Sequence, residues 1–123
     1  MKYKLTSTTK TTPNGITLYQ IQALKDFSNV KKGDLGGWIQ NEKNLSQENN
    51  CWVWGNARVW GNARVWGNAR VYGNAQVLDD AQVLGNARVW GNARVWGDAQ
   101  VYGNVGLENR QYLDPRPGNR NPN

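Results

Sequence analysis

A six-residue motif recurs almost without interruption between Cys51 and Glu108, and it limits the folds that this chain can adopt. Its type unit is Val59-Trp60-Gly61-Asn62-Ala63-Arg64. Valine returns every six residues from Val53 to Val101, and Leu107 takes the next place. A short fixed period is the sequence signature of a solenoid, in which each repeat packs only against its neighbours.

The order of residues within the motif predicts a short strand followed by a corner. Alternation along Ala-Arg-Val-Trp turns Ala and Val to one face and Arg and Trp to the other. Gly-Asn then turns the chain, because Gly reaches positive φ without strain and Asn is the next most tolerant residue. An α-helix is excluded, since Gly and Asn in every hexad are costly there and the period does not match 3.6 residues.

This pattern resembles that of the hexapeptide-repeat family, in which an aliphatic residue is followed four places on by a small one, as in Val59 and Ala63. The resemblance implies an all-β fold, a left-handed parallel β-helix in which three hexads make one coil of a triangular solenoid. The left hand is an exception to the usual rule for crossovers, so it is implied by the resemblance and not by the period.

A longer pattern is similar to that of a group of small phage and prophage hexapeptide-repeat proteins. It comprises Ala23–Phe27, Gly33–Ile39, Asn44–Gln47 and Cys51–Val53. That resemblance implies that the protein acts in the cytoplasm of an infected or lysogenic bacterial host. The first residues lack the apolar core of a signal peptide, and no stretch approaches a membrane span, which also favours a cytoplasmic protein without a membrane partner.

The residues before the repeat predict a β-hairpin. Lys2–Thr6 alternates polar and apolar residues, Pro13–Gly15 supplies turn chemistry, and Ile16–Leu24 reads as a second strand. Residues 25–37 are rich in Lys, Asp and Gly and are expected to be irregular. Leu45–Asn50 resembles an imperfect first rung of the solenoid.

Three regions follow from these signals. The open end of a solenoid exposes unpaired backbone and apolar interior, so residues 1–37 are predicted to form an N-terminal cap. Residues 38–108 are predicted to form the β-helix. Residues 109–123 are rich in Pro, Asn and Arg and are predicted to be a flexible tail.

The net charge of +6 gives little support to a nucleic-acid partner. Residues 1–50 carry seven Lys and four acids, residues 51–108 five Arg and four acids, and residues 109–123 three Arg and one Asp. The repeat is therefore nearly neutral, and nucleic-acid binding is not expected.

Cys51 is the only cysteine, which excludes an internal disulfide. It fills a slot that Ala takes in later repeats, which predicts a small buried residue.

If eighteen residues make one coil, the outward side chains form columns about 4.8 Å apart from rung to rung. The first face stacks Arg58, Gln76 and Arg94 beside Trp60, Leu78 and Trp96. The second stacks Arg64, Gln82 and Gln100 beside Trp66, Leu84 and Tyr102. The third stacks Trp52, Arg70, Arg88 and Gly106 beside Trp54, Tyr72, Trp90 and Glu108. Six of the seven Trp are thus placed outward, which is unusual for a free surface and suggests buried contacts.

The chain lacks the residues that catalysis on this fold requires. The resemblance implies acyltransferases with a histidine base, and carbonic anhydrases whose zinc needs three imidazoles. This sequence has no histidine, and no nucleophile–base pair is visible. We therefore expect a non-enzyme without a cofactor, and an acyltransferase-like enzyme is the disfavoured alternative.

One acidic corner is a candidate cation site. Asn62, Asp80 and Asp98 share a column, with Asp79 beside it, and two carboxylates a rung apart could share Ca²⁺. The simpler interpretation is that Asp replaces Asn where a turn tolerates either residue. No metal is therefore predicted.

Three interpretations of the Arg and aromatic columns compete. In the first, the faces pack against copies of this chain as a dimer or trimer, since Trp, Tyr and Arg are enriched in interfaces. In the second, a nucleotide stacks on Trp and binds Arg through its phosphate. In the third, the columns form a stabilising ladder with no partner.

We predict a non-catalytic, phage-type binding or assembly protein that acts stoichiometrically, for example by inhibiting a host defence component. Sequestration of a nucleotide or cyclic oligonucleotide is the alternative. The predicted binding residues are Arg58, Trp60, Arg64, Trp66, Arg70, Tyr72, Arg88, Trp90, Arg94, Trp96 and Tyr102.

Overall fold

The chain forms a parallel β-helix with an antiparallel hairpin built onto one of its sheets. The structure is a computed structural model and describes residues 1–112. Within this range, helical structure is limited to one 3₁₀ turn at Glu42–Asn44. None of the described helical structure has the length and apolar character needed to cross a bilayer.

The strands are short and follow the sequence period. Before the regular repeat lie β1 (Tyr3–Thr11), β2 (Thr17–Ala23), β3 (Leu35–Ile39) and β4 (Trp52–Val53). The repeat contributes β5 (Arg58–Val59), β6 (Arg64–Val65), β7 (Arg70–Val71), β8 (Gln76–Val77), β9 (Gln82–Val83), β10 (Arg88–Trp90), β11 (Arg94–Val95), β12 (Gln100–Val101) and β13 (Gly106–Glu108). The last described strand is β14 (Gln111–Tyr112).

Three sheets form the walls of the solenoid. The first wall consists of β3, β5, β8, β11 and β14, the second wall of β6, β9 and β12, and the third wall of β4, β7, β10 and β13. The chain passes through the three walls in turn, and each coil adds one parallel strand to each wall. The predicted all-β parallel solenoid with three hexads per coil is confirmed.

The register fixes the length of a coil. Arg58 pairs with Gln76, and Gln76 pairs with Arg94, so one coil takes 18 residues. The first coil is longer, because Trp38 pairs with Arg58. Leu45 forms a bridge with Val65, 20 residues on, whereas Trp52 pairs with Arg70, 18 residues on. The extra residues of the first coil therefore lie between Leu45 and Trp52. Leu45 is therefore the first rung of the second wall, as its sequence predicted.

Valine and alanine fill the interior and leave no accessible surface there. Every Val of the repeat from Val53 to Val95 and every Ala from Ala57 to Ala99 is 0% exposed. Burying one valine side chain stabilises the fold by roughly 1.5–3 kcal/mol. The backbone amides beside these residues bond to the coil above, as Arg58 N donates to Ala75 O at 3.0 Å. Each coil is therefore held to the next by both packing and hydrogen bonds.

The corners depend on residues that accept positive φ. Gly61 has φ +68° and Gly73 has φ +69°. Successive corners stack so closely that a Cβ on Gly73 would lie 2.8 Å from Gly91 N, whereas one on Gly55 would lie 3.8 Å from Gly73 O. Asp79 occupies the same corner place with φ +61°, and its Oδ2 accepts a hydrogen bond from Gly97 N at 2.9 Å. A side chain is thus accommodated where it bonds to the coil above.

The predicted hairpin is confirmed, and it continues the first wall. β1 and β2 are antiparallel, β2 pairs antiparallel with β3, and β3 pairs in parallel with β5. The boundary predicted between residues 37 and 38 falls inside β3, so the cap and the β-helix share one sheet. At the other end, residues 109–112 do not behave as the predicted tail, because β14 pairs with β11. Residues 113–123 of that predicted tail lie outside the described part of the chain.

Lys2 fixes the cap to the first coil. Its side chain is 1% exposed, and its ammonium donates to Cys51 O at 2.7 Å, Asn49 O at 3.3 Å and Glu48 O at 3.4 Å. These carbonyls belong to the stretch that carries the extra residues of the first coil. Burial lowers the pKa of Lys2, and the nearby Cys51 acts in the opposite direction. The ammonium satisfies carbonyl groups that the regular ladder leaves unpaired.

The stacking of corners predicts unequal costs for two chemically identical substitutions. Gly55→Ala should cost about 1–2 kcal/mol, because only the left-handed backbone conformation is strained. Gly73→Ala should cost at least about 1 kcal/mol more, since its Cβ also meets the backbone of Gly91. Urea unfolding followed by circular dichroism measures both. Equal costs would contradict the close stacking of the coils.

The contacts of Lys2 predict a second difference. Lys2→Met keeps the aliphatic stem but removes the ammonium, so buried carbonyl oxygens lose their donor and the free energy of unfolding should fall by about 1–3 kcal/mol. Lys4→Met, two residues along the chain in β1, is the matched control, and loss of its exposed side chain should change stability by less than about 0.5 kcal/mol. Equal effects of the two changes in the same urea titration would show that Lys2 does not hold the cap.

Candidate functional site

Each hexad turns two side chains outward, and the register confirms the predicted columns. In register lie Arg58, Gln76 and Arg94 on the first wall, Arg64, Gln82 and Gln100 on the second, and Trp52, Arg70, Arg88 and Gly106 on the third. All the residues predicted to bind a partner are half-buried or exposed. Their common placement on the outside is confirmed, and their binding role stays a prediction.

One member of the columns does not face solvent. Trp52 was expected on the outside of the third wall, and it is 1% exposed. Phe27 contacts it edge-on with ring centres 5.2 Å apart, and Tyr3 does so at 6.0 Å. Trp52 lies in the predicted outer column, in register with Arg70, and the cap covers the third wall at this rung. The outward placement predicted for Trp52 therefore holds, and its buried contacts are made with the chain's own cap. Only a long-range contact between residues 3–27 and the repeat decides this, and no local pattern signals it.

The first wall places two of its three cations against indole rings. The Lys10 ammonium lies 4.1 Å from the ring centre of Trp38, and the Arg94 guanidinium lies 5.6 Å from that of Trp96. Burial, and then the positive charge of Arg58, lower the pKa of Lys10. The sequence interpretation missed Lys10, because it lies on the hairpin and reaches the wall only through the antiparallel pairing of β1 and β2.

The hairpin turn forms a crevice with the first wall. Thr12, Pro13 and Asn14 line one side of a cavity of about 270 Å³, and Arg58, Trp60, Gln76 and Arg94 line the other. The turn is well ordered by its own hydrogen bonds, since Ile16 N donates to Thr12 Oγ1 at 3.0 Å. Gln76 separates the two Arg in register, so this wall spaces its positive charges.

The second wall has the fewest charged residues in its columns. Arg64 is the single ion in its columns, and the other members of its charged column are Gln82 and Gln100. Trp66 is 40% exposed and Tyr102 is 61% exposed. These two aromatic side chains therefore present apolar surface to solvent beside neutral amides.

The third wall stacks its aromatic rings on one another. Trp54 and Tyr72 meet edge to face, with ring centres 6.2 Å apart and an interplanar angle of 86°. Tyr72 and Trp90 are stacked at 5.8 Å and 7°. Such pairs contribute about 0.5–1.5 kcal/mol beyond area burial. On this wall the ladder interpretation of the aromatic column is supported.

Beside that ladder, the third wall holds two Arg in direct register. Arg70 on β7 pairs with Arg88 on β10, with no Gln between them. They line a cavity of about 490 Å³ together with Asn68, Asn86, Trp90, Asn104 and Gly106. Guanidinium and amide groups offer N–H donors to this cavity, and no acidic side chain lines it.

The acidic corner is explained by contacts within the protein. Asp80 Oδ1 accepts a hydrogen bond from Asn62 Nδ2 at 3.1 Å, and Asp79 accepts one from Gly97 N. Within residues 1–112, no group of three or more His, Cys, Asp or Glu side chains is arranged to hold a metal ion. These contacts favour the turn interpretation of the Asp residues over a cation site.

Cys51 is the buried small residue that its repeat slot predicted, since it is 0% exposed. Burial raises the pKa of its thiol, and the nearby Lys2 ammonium, 3.4 Å from the sulfur, acts in the opposite direction. A buried thiol of raised pKa is a poor nucleophile. The arrangement favours a structural role for Cys51.

Two comparisons connect the repeat with known proteins. A family model described as the YdcK β-solenoid repeat matches residues 63–79. A stretch of 43 residues is 46% identical to a protein of Escherichia coli (strain K12) named "Uncharacterized acetyltransferase YdcK". That stretch is 35% of this chain and 13% of the relative, so the chain matches only a small part of that protein's length. These likenesses support the assignment of the repeat to a β-solenoid repeat family.

Proposed function

We propose that this chain is a non-catalytic protein that binds its partner stoichiometrically through the outward walls of the β-helix. The observation that carries the proposal is the division of each hexad from Ala57 to Tyr102 into a dry Val–Ala interior and an outer pair of Arg or Gln with an aromatic or Leu residue. The interior fixes the backbone, so the outer groups are presented in rows of constant spacing. The phage origin and the inhibition of a host defence component stay predictions.

The first partner in this proposal is a second copy of the chain, bound through the second wall. A wall whose charges all have one sign brings like charges together when it meets its own copy across a two-fold axis. The first wall carries Lys10, Arg58 and Arg94, so self-contact there is unfavourable. The second wall has one Arg, neutral Gln side chains and exposed rings, which suits burial against an identical surface.

Acetyl transfer is the second candidate, because the bacterial relative is named an acetyltransferase. The chain has no histidine to act as the base, and its one thiol is buried. Stoichiometric binding is therefore better supported by this chain's own residues. Release of coenzyme A from acetyl-coenzyme A by the purified chain, above the rate in buffer, would favour acetyl transfer instead.

The choice of wall gives a measurable prediction. Light scattering across a dilution series should show an oligomer for the unaltered chain. Combined Trp66→Ser and Tyr102→Ser substitution removes the exposed rings of the second wall and should give a monomer with unchanged circular dichroism. Combined Trp60→Ser and Trp96→Ser substitution on the first wall is the matched control and should remain oligomeric. A monomer at high concentration of the unaltered chain would contradict the self-association.

A further inference from the structure

The in-register pair Arg70–Arg88 is electrostatically unfavourable for the isolated chain. Directly opposite like charges destabilise neighbouring strands. On the first wall Gln76 separates Arg58 from Arg94, and the second wall has Gln after Arg64. Among the three walls, only the third places two Arg side by side in the described residues. An anion between the two guanidinium groups would relieve this repulsion.

The surroundings of the pair are also suited to an anion. The cavity of about 490 Å³ is bordered on one side by a column of corner amides from Asn68, Asn86 and Asn104. Amide N–H groups and guanidinium groups can all donate to the oxygens of one ligand. Arg donates two parallel hydrogen bonds to two oxygens of a phosphate, so the pair of Arg side chains favours a phosphate over a halide ion.

Gly106 gives the same cavity an aromatic boundary. It stands in the place that Arg or Gln takes in the preceding hexads, and Leu107 continues the interior column. A Cβ on Gly106 would lie 2.9 Å from Trp90 Cζ3 and 3.1 Å from Trp90 Cη2. The missing side chain therefore lets the indole lie over the strand at one end of the Arg column. The sequence interpretation recorded this Gly but could not assign it a purpose.

We propose that the third-wall cavity binds a nucleoside phosphate, with its phosphate between Arg70 and Arg88 and its base against Trp90. This inference rests on the proposed function, in which the walls are binding surfaces. The phosphate carries enough negative charge to neutralise both guanidinium groups, and a planar base stacks on an indole without needing a specific edge. The Asn column donates to the remaining phosphate or sugar oxygens.

Isothermal titration of the full chain with three probes at constant ionic strength tests the proposal. The probes are adenosine monophosphate, inorganic phosphate and adenosine. We expect the nucleotide to bind more tightly than phosphate, and adenosine to bind more weakly than the nucleotide. Arg88→Gln reproduces the Arg–Gln pairing of the first wall and should weaken nucleotide binding by about 10-fold or more, the value of a lost charge-assisted hydrogen bond. Arg110→Gln removes an exposed Arg that does not line this cavity, so it is the matched control and should leave the affinity unchanged.

A second variant separates the contribution of the base. The Cβ of Gly106→Ala displaces the indole of Trp90. The affinity of this variant for the nucleotide should therefore fall towards its affinity for inorganic phosphate, which should stay unchanged. The backbone at Gly106 does not have positive φ, so an alanine there is compatible with the fold.

Four results would overturn the proposal. They are no heat with either nucleotide or phosphate, equal affinities for the two, equal affinities for nucleotide and adenosine, and equal losses of affinity in Arg88→Gln and Arg110→Gln. Light scattering on the same samples keeps this proposal separate from self-association. A chain that assembles through the second wall but binds no nucleotide loses only the present inference.

Discussion

The close packing of Val and Ala inside the solenoid determines how its coils can stack. Each wall of a coil contributes one Val and one Ala to a space that excludes water, and the backbone bonds directly to the next coil. Gly at the corners lets the coils stack so closely that there is no room for a Cβ between Gly73 and Gly91. A larger residue at a closely stacked corner strains this packing unless its side chain bonds to the coil above, as that of Asp79 does. The interior therefore favours a regular 18-residue coil after the first one and leaves the outer positions free to vary.

That freedom explains why three walls with one scaffold have different surfaces. The first wall spaces its cations with Gln76 and places them against indoles. The second is nearly neutral and exposes aromatic rings. The third packs its rings together and concentrates charge at Arg70 and Arg88. These differences arise from substitutions at outer positions only, so they separate the residues that make the fold from those available for binding.

The sequence predicted the fold well because its dominant signal is local. The hexad sets the strand, the corner, the inward pair and the 18-residue register, and all of these are seen. It failed where distant segments meet. The cap buries Trp52, the hairpin brings Lys10 to the first wall, and Lys2 reaches the carbonyls around Cys51. The site was predicted as columns, but the exceptional pair and the role of Gly106 emerge only when neighbouring coils are compared.

Arg70 and Arg88 stand together at a cost to the fold, which a ligand bound between them would offset. A double-mutant cycle of Arg70→Gln and Arg88→Gln, followed by urea unfolding at low salt without phosphate, measures that cost. We expect an unfavourable coupling between the two Arg of about 0.2–1 kcal/mol, which declines as salt screens the charges. A coupling of zero, or a favourable one, would contradict it.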